Sequence, residues 1–334
     1  MCGTPNADSG SAGDAMLRRT VERLLAQARG RPVKIAALQR ERSPFVTLTL
    51  FPVEVLSIRL GSGEQLSLFV KYLGAEQADH PDKQCRDREI RVYEQLLVAG
   101  GLPVVRYYGA HLDPATARHE LFLEYIDDWS LKYQDLEHWF TAARRLAQLQ
   151  AYFAPQAERL LACEFLLQFD ARYFTEWAKR GLAAVATQSA DLAAELGHVV
   201  DKYHRAAEVL SAQPVTLVHN DLSPKNVLAD RSRSPTRICF VDWEMAGVGC
   251  GLLDLAHLKH GLDPVSDQKM CAAYCAALAG TALLPPNPQD WRRVLAACEL
   301  HQTLYRLAFS QRWQVPPERV AQWVFEAHQF FAEL

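Results

Sequence analysis

From Phe45 to Leu60 the chain reads FVTLTLFPVEVLSIRL, a run rich in Val, Thr, Leu and Ile. Gly61-Ser62-Gly63 follows, then EQLSLFVKYLG. Two extended runs around a Gly-Ser-Gly turn predict an antiparallel hairpin. Ahead of it, AMLRRTVERLLAQARG puts Leu17, Val21, Leu24, Leu25 and Ala28 at helical spacing, with Gly30 as a stop. Residues 1–14 are small and polar without periodicity, and a disordered tail is expected there. Behind the hairpin, DKQCRDREIRVYEQLLVAG reads as a charged helix with Ile90, Tyr93, Leu96 and Leu97 on one side. VVRYYGAHL and HELFLEYI return to strand.

Past Ile126 the spacing of apolar positions turns helical. Helices are predicted over about 134–153, 156–167, 170–186, 190–212, 265–280, 288–312 and 316–333. PVTLVH and RICFVDW interrupt them as short buried strands, with NVLAD between. The fold class predicted is α+β: a small sheet-rich N-lobe over 15–126 and a larger, mainly helical C-lobe over 127–334.

Composition narrows the class. A chain of 334 residues, 49% of them hydrophobic, has ample core and exceeds one typical domain. A net charge of −3 and a pI near 6.4 do not mark a nucleic-acid or membrane-surface binder. No eighteen-residue apolar run predicts a transmembrane helix, and the start lacks the basic and apolar regions of a secretory signal. The eight cysteines form no CxxC pair. Cys271 and Cys275 stand one helical turn apart without further zinc ligands nearby. A cytoplasmic protein with reduced thiols is expected, as a monomer or homodimer.

Candidate chemistry concentrates in LVHNDLSPKNVLAD, Leu217 to Asp230. It spells His219-x-Asp221-x-x-x-x-Asn226, and Asp242 follows sixteen positions after Asn226, at the end of ICFVD. A hairpin of NVLAD with RICFV would bring Asn226 and Asp242 together. An amide carbonyl and a carboxylate make a hard-oxygen site suited to Mg²⁺. Asp221, near the metal but off it, stands where a general base is needed if a hydroxyl attacks phosphorus. Asp or Asn alone is an ordinary turn former; the set with Asp242 at this offset is more than that.

HNDLSPKN followed by FVDWEMAGVGCGLLDLA resembles the catalytic segment of the aminoglycoside phosphotransferase and choline kinase family, small-molecule kinases of protein-kinase-like fold. That family's H-x-D-x-x-x-x-N, D-[WF]-[ED] and D-[LI]-A elements are present in order. The resemblance implies a bilobal protein-kinase-like fold, Asp221 as the base, and Asn226 and Asp242 holding Mg²⁺ against nucleotide phosphates. It implies that His219 braces the loop, and that Asp254 caps a helix and ties the loop down. Glu244, two positions past Asp242, would share its side of an extended chain and serve a second metal or the substrate, or be a surface acid. Lys225 reads as a solvated loop lysine. Ser223 stands where protein kinases carry a lysine and would touch the transferred phosphate.

A kinase fold also requires an N-lobe lysine for the phosphates and a helical glutamate to hold it. SLFVKYLG supplies Lys71. Glu89, with Tyr93 and Leu96, matches the family's E-x-x-x-Y-x-x-L, which leaves Glu94 as a surface acid. LFLEYIDD falls at the hinge, where the backbone of Glu124, Tyr125 and Ile126 would meet the adenine edge. No glycine-rich loop precedes Lys71; Ser43-Pro44-Phe45 would turn over the phosphates instead, which leaves ATP against GTP open.

Only eleven residues separate Asp242 from Asp254, too few for a polypeptide-docking activation segment. The expected reaction is therefore ATP- (or GTP-) and Mg²⁺-dependent phosphorylation of a hydroxyl on a small molecule. A pseudokinase scaffold and a protein kinase are the rivals. The acceptor would be an aminoglycoside, as in antibiotic resistance, choline or another amino alcohol, or a natural product being tailored. Asp127, Asp128, Asp135 and Glu137 form an acidic patch suited to a cationic acceptor. Glu299, Gln302 and Arg306 share a helical stripe facing either a polar substrate or solvent.

Overall fold

A computed structural model describes residues 8–42, 51–73, 80–113, 118–285 and 287–334. They fall into two units, Met1–Asp127 and Asp128–Leu334, the division lying one residue beyond the expected boundary.

The first unit opens with helix α1 (Asp8–Arg29), so residues 8–14 extend the helix rather than forming a tail. Leu17, Val21, Leu24 and Leu25 anchor it, and once a helix is anchored each further residue adds a hydrogen bond at little cost. A five-stranded antiparallel sheet follows, in the order β1-β2-β3-β5-β4. Its strands are β1 (Ile35–Arg42), β2 (Val53–Leu60), β3 (Gln65–Leu73), β4 (Tyr107–Asp113) and β5 (Arg118–Glu124). The Gly-Ser-Gly turn closes the β2–β3 hairpin with Gly63 at φ 87°, and Leu60 N–H donates to the Glu64 carbonyl at 2.8 Å. Strand β1 was not expected. Its polar sequence IAALQRER suits an edge, and a bulge between Ile35 and Ala37 breaks the alternation that would have revealed it. The Ser43-Pro44-Phe45 turn lies outside the described residues.

Alternation along the strands sets the two faces of this sheet. Leu56, Ile58 and Leu60 of β2 and Leu68 and Val70 of β3 pack with the α1 leucines. Lys71, one residue out of phase with Val70, therefore projects from the opposite face. The helix expected over 82–100 is shorter: α2 (Arg88–Arg91) runs into a π-helical turn, Val92–Leu96.

The second unit is mainly helical. Helices α3 (Leu136–Phe153), α4 (Ala157–Leu161), α5 (Ala171–Ala186), α6 (Ala190–Val200) and α7 (His204–Ser211) precede the strands of the motif. Helices α8 (Leu252–Leu258), α9 (Pro264–Leu278), α10 (Pro288–Ala308) and α11 (Pro317–Ala332) follow them. Side-chain caps start several: Asp170 accepts from Tyr173 N–H at 2.8 Å, and Asn287 accepts from the N–H groups of Gln289 and Asp290 at 2.9 and 2.8 Å. The helix expected over 190–212 is two, parted by a turn at 201–203.

Three short strands form one sheet in the order β6-β10-β7: β6 (Leu167–Gln168), β7 (Val215–Val218) and β10 (Gly247–Cys250). Strand β10 comes from the glycine-rich GVGC, which sequence pattern does not mark as a strand. The glycines are needed because a Cβ at Gly247 would meet the Phe169 ring at 2.4 Å. Strands β8 (Val227–Asp230) and β9 (Arg237–Phe240) make a separate antiparallel hairpin. Helix α10 packs on α5, α7, α8 and α11, and Leu300, His301, Thr303, Leu304 and Leu307 are buried along it. No described helix is long and apolar enough to cross a membrane.

Candidate active site

In the first unit, Lys71 Nζ lies 2.7 Å from Glu89 Oε2, and the two residues are 4% and 2% exposed. Strand β3 runs between β2 and β5, which hold Lys71 opposite Val53 and Leu121. Its ammonium also stands 5.5 Å from the centre of the Phe51 ring. Glu94 is exposed. At the end of β5, Glu124 N–H donates to the Arg106 carbonyl at 2.8 Å and Tyr125 N–H to the Ser67 carbonyl at 3.4 Å. These bonds engage the N–H groups of Glu124 and Tyr125, two residues of the segment whose backbone is expected at the adenine edge, within the unit.

In the second unit, β7 delivers His219 and the loop that follows. His219 is fully buried. Its Nε2 lies 2.8 Å from the Val241 carbonyl, and its Nδ1 accepts from Asp221 N–H at 3.3 Å. One neutral tautomer, protonated at Nε2, satisfies both bonds. The ring packs on Trp243, centroids 4.5 Å apart. Asn220 takes the left-handed conformation, φ 64°, which Asn tolerates better than most residues. Asp254 holds the turn: its two carboxylate oxygens accept from His219 N–H at 2.8 Å and Asn220 N–H at 2.9 Å. Burial pushes the Asp254 pKa up to about 6, against the downward pull of His219 and those two donors. Gln150 supports the clamp by donating to the Gly251 carbonyl at 2.8 Å, and receives the hydroxyl of Tyr274. Asp254 sits inside α8, so it clamps the loop without capping its own helix.

Pro224 starts a 3₁₀ turn through Asn226. Asn226 Nδ2 donates to the Asp221 carbonyl at 2.8 Å and to Asp221 Oδ2 at 3.2 Å, which turns the amide oxygen away from that contact. Val241 N–H donates to the Asn226 carbonyl at 3.0 Å, and Val227 pairs with Phe240. The hairpin therefore sets Asn226 beside the chain that leads into Asp242. Asp242 is left-handed at φ 69° and starts a 3₁₀ turn, Trp243–Met245. The chain here is coiled, so the alternation that would align Glu244 with Asp242 does not apply.

Lys225 is 43% exposed, yet its Nζ lies 3.4 Å from Asp221 Oδ2. Burial pulls its pKa down, but the charges of Asp221, Asp242 and Glu244 outweigh that and raise it. Asp221 is the carboxylate in contact with this ammonium, and Asp242 and Glu244 act on it at longer range. Ser223 Oγ is buried without a hydrogen-bond partner among the described residues. His257, which the sequence reading missed, brings Nε2 to 3.9 Å from Asp221 Oδ1. Burial holds its pKa well below the ordinary histidine value, helped by the charges of Arg306 and Lys225. The contact is therefore neutral imidazole against carboxylate. A signal existed: His257 is one helical turn past Asp254, on the face that meets the loop.

Of the four acids of the expected patch, Asp128 is neutralised by an arginine. Asp128 accepts from Arg231 through Nε at 3.1 Å and Nη2 at 2.8 Å, and its pKa falls to about 2. Burial acts against that fall, and the Arg231 hydrogen bonds drive it. Asp135 and Glu137 are exposed at the start of α3. Glu299 is not on a solvated face; it lies 2.5 Å from Lys259 Nζ, which also meets Asp267 at 2.6 Å. Gln302 is buried, and Arg306 is half-buried.

Such an arrangement, a braced loop carrying an acid and an amide beside a second acid, is that of a kinase-like small-molecule phosphotransferase. The chain belongs to the phosphotransferase enzyme family, whose model matches residues 59–297. Among solved structures it is similar to a microcompartment-associated aminopropanol kinase, at 17% identity and a TM-score of 0.59, covering 88% of this chain and 90% of that one. The choline kinase LicA from Streptococcus pneumoniae is similar at 14% identity and a TM-score of 0.56, covering 97% and 100%. A mutant aminoglycoside 2'-phosphotransferase in complex with GDP is similar at 12% identity and a TM-score of 0.57, covering 90% and 91%. These likenesses place the fold among protein-kinase-like small-molecule kinases. A search of curated protein sequences gives no match.

Proposed function

We propose that the protein is a cytoplasmic, Mg²⁺-dependent O-phosphotransferase that moves the γ-phosphate of ATP, with GTP as the alternative donor, to a hydroxyl of a small molecule. The observation that carries this is the Asp221–Asn226 contact held beside Asp242 on a loop clamped by Asp254. Asp221 takes the proton of the acceptor hydroxyl as its oxygen bonds to the γ-phosphorus and the bond to the departing nucleoside diphosphate breaks. Lys71, held by Glu89, is the phosphate-neutralising cation of the first unit.

The donor set fits magnesium. The Asn226 amide oxygen and the Asp242 carboxylate are hard oxygens. Among the described residues no group of three or more His, Cys, Asp or Glu forms a protein-only cage, and Mg²⁺ does not need one when phosphates complete its shell. The negative charge of Asp221, Asp242 and Glu244, felt at Lys225, also favours a divalent cation. When bound, Mg²⁺ draws charge from the nucleotide phosphates. The buried, unpartnered Ser223 hydroxyl offers a donor to the transferred phosphoryl group. The Ile126 N–H, third of the segment expected at the adenine edge, remains the donor for a base. The cysteines in the described residues are all free thiols, in keeping with a reducing compartment.

The test is Asp221→Asn, assayed for nucleoside diphosphate release and for nucleotide affinity. Turnover is expected to fall by about 10²–10⁴-fold with nucleotide affinity largely kept. Unaltered turnover would remove Asp221 from the role of base. Acceptors consistent with this chemistry include aminoglycosides, in antibiotic modification, choline and amino alcohols, and natural-product intermediates.

A further inference from the structure

Several cations in the second unit are paired with carboxylates. Lys259 is held by Glu299 and Asp267, Arg231 by Asp128, and Lys225 by Asp221. Arg306 is different. It is half-buried near the end of α10, with no carboxylate within 4.0 Å among the described residues. Its Nη2 donates to Thr303 Oγ1 at 3.0 Å, its guanidinium lies 5.8 Å from the centre of the Trp323 ring, and its buried Nε has no partner. A second guanidinium, that of Arg319, stands 5.6 Å from the same ring. Burying a charge without a counter-ion is costly, and two neighbouring guanidiniums increase the cost.

The position of Arg306 relates this cost to the reaction. The preceding residue, Tyr305, brings its hydroxyl to 4.0 Å from the sulfur of Met245, three residues past Asp242. Helix α10 packs on α8, from which His257 reaches Asp221 at 3.9 Å. The charge of Arg306 is felt at both His257 and His260. His257 Nδ1, like Arg306 Nε, is buried and unpartnered. Asp221 is thus met by Lys225 at 3.4 Å and by His257 at 3.9 Å, and the charge of Arg306 acts on that same His257. Nearby acids do not offset Arg306: Glu299 is committed to Lys259, and Glu326 acts on Arg306 only at a distance.

We infer that the acceptor alcohol carries an anionic group, a carboxylate or phosphate, which the Arg306 guanidinium receives while His257 lines the path between that anion and Asp221. Guanidinium grips such oxygens through two parallel N–H bonds, and this fixes the orientation of the molecule as well as binding it. The inference rests on the phosphotransferase reading for the word acceptor, but not for the anion site itself.

The experiment has two arms. In the first, the wild-type chain with Mg²⁺ and ATP is assayed for ADP release. The acceptors are hydroxy acids (glycerate, threonate, gluconate) and phosphate-bearing alcohols (glycerol 3-phosphate), against glycerol, glucitol, choline, ethanolamine and kanamycin. An anionic acceptor is expected to show kcat/KM at least tenfold above its uncharged counterpart. In Arg306→Gln its KM should rise at least tenfold and the preference vanish, with Arg306→Lys intermediate. In the second arm, thermal shift on the unreactive Asp221→Asn chain reads binding alone. At least one anionic compound should raise Tm, and Arg306→Gln in that background, itself folded by circular dichroism, should abolish the rise. Carboxylates and phosphates acting in separate wells identify which source supplies the anion. Choline, ethanolamine or kanamycin turned over in preference to every acid, or no shift with any acid, overturns the proposal. A shift lost in Arg306→Gln together with no phosphorylation of any acceptor upholds the anion site and overturns the phosphotransferase reading instead.

Discussion

The residues of the site illustrate how it can be half legible. Asp221, Asn226 and Asp242 stand out in sequence because the hairpin between them is short, and local spacing then maps onto local geometry. His257 stands out only by its spacing from Asp254, and Arg306 only as part of a stripe open to substrate or solvent. Their place in the fold comes from the packing of α8 on α10, which the sequence does not spell out. Lys71 and Glu89 fall between these cases. They are eighteen positions apart, and what betrays the lysine is its place at the end of an apolar run. Their burial makes a firm prediction. Glu89→Ala takes from the buried ammonium the carboxylate 2.7 Å away and should destabilise the protein by about 3–5 kcal/mol. The double change Lys71→Met with Glu89→Leu should melt closer to wild type. Thermal melts of the three chains decide it, and equal losses for the single and the double change would show that the pair adds nothing as a pair.

At the scale of elements, strongly amphipathic stretches were legible and weakly patterned ones were not. Helices α3, α5 and α11 lie close to their expected spans because each has an apolar stripe and a recognisable start. Strands β1 and β10 escaped notice, one for its polar edge sequence and bulge, the other for its glycines. The α10 stripe was seen, but its surroundings were not: packed on by four other helices, α10 has no fully exposed position from Val294 to Ala308. One glycine records that crowding. A Cβ at Gly181 of α5 would lie 2.7 Å from the Leu304 carbonyl oxygen of α10, a backbone atom that moves only if the helix moves. Gly181→Ala, favourable for an isolated helix, is expected to cost about 1–3 kcal/mol here. The change in urea midpoint measures it, and a gain in stability would mean the two helices separate freely.

For the whole molecule, buried titratable groups set the response to acid. Burial holds His301 neutral, with its pKa lowered to about 3 while its ring meets the Tyr203 hydroxyl at 3.1 Å; His257 and His260 are also lowered by burial. A depressed histidine contributes stability that is full above its unfolded pKa of about 6.5. It is lost, at up to about 1.4 kcal/mol per pH unit, as pH falls toward the folded value. Asp254 acts in the opposite direction: its raised pKa adds stability as pH falls from about 6 to about 4. Three histidines outweigh Asp254 and Glu299, whose pKa burial also raises, so Tm should fall between pH 7 and pH 4, and His301→Gln should make that fall shallower. An unchanged slope would show that His301 is already protonated in the fold. The Asp254 clamp has one more consequence. It grips residues thirty-four and thirty-five positions earlier in the chain. During synthesis, Asp221 therefore leaves the ribosome well before the carboxylate that shapes its loop, and α10 follows later still. A nascent chain holds the base without its setting, which forms only when translation has passed Asp254.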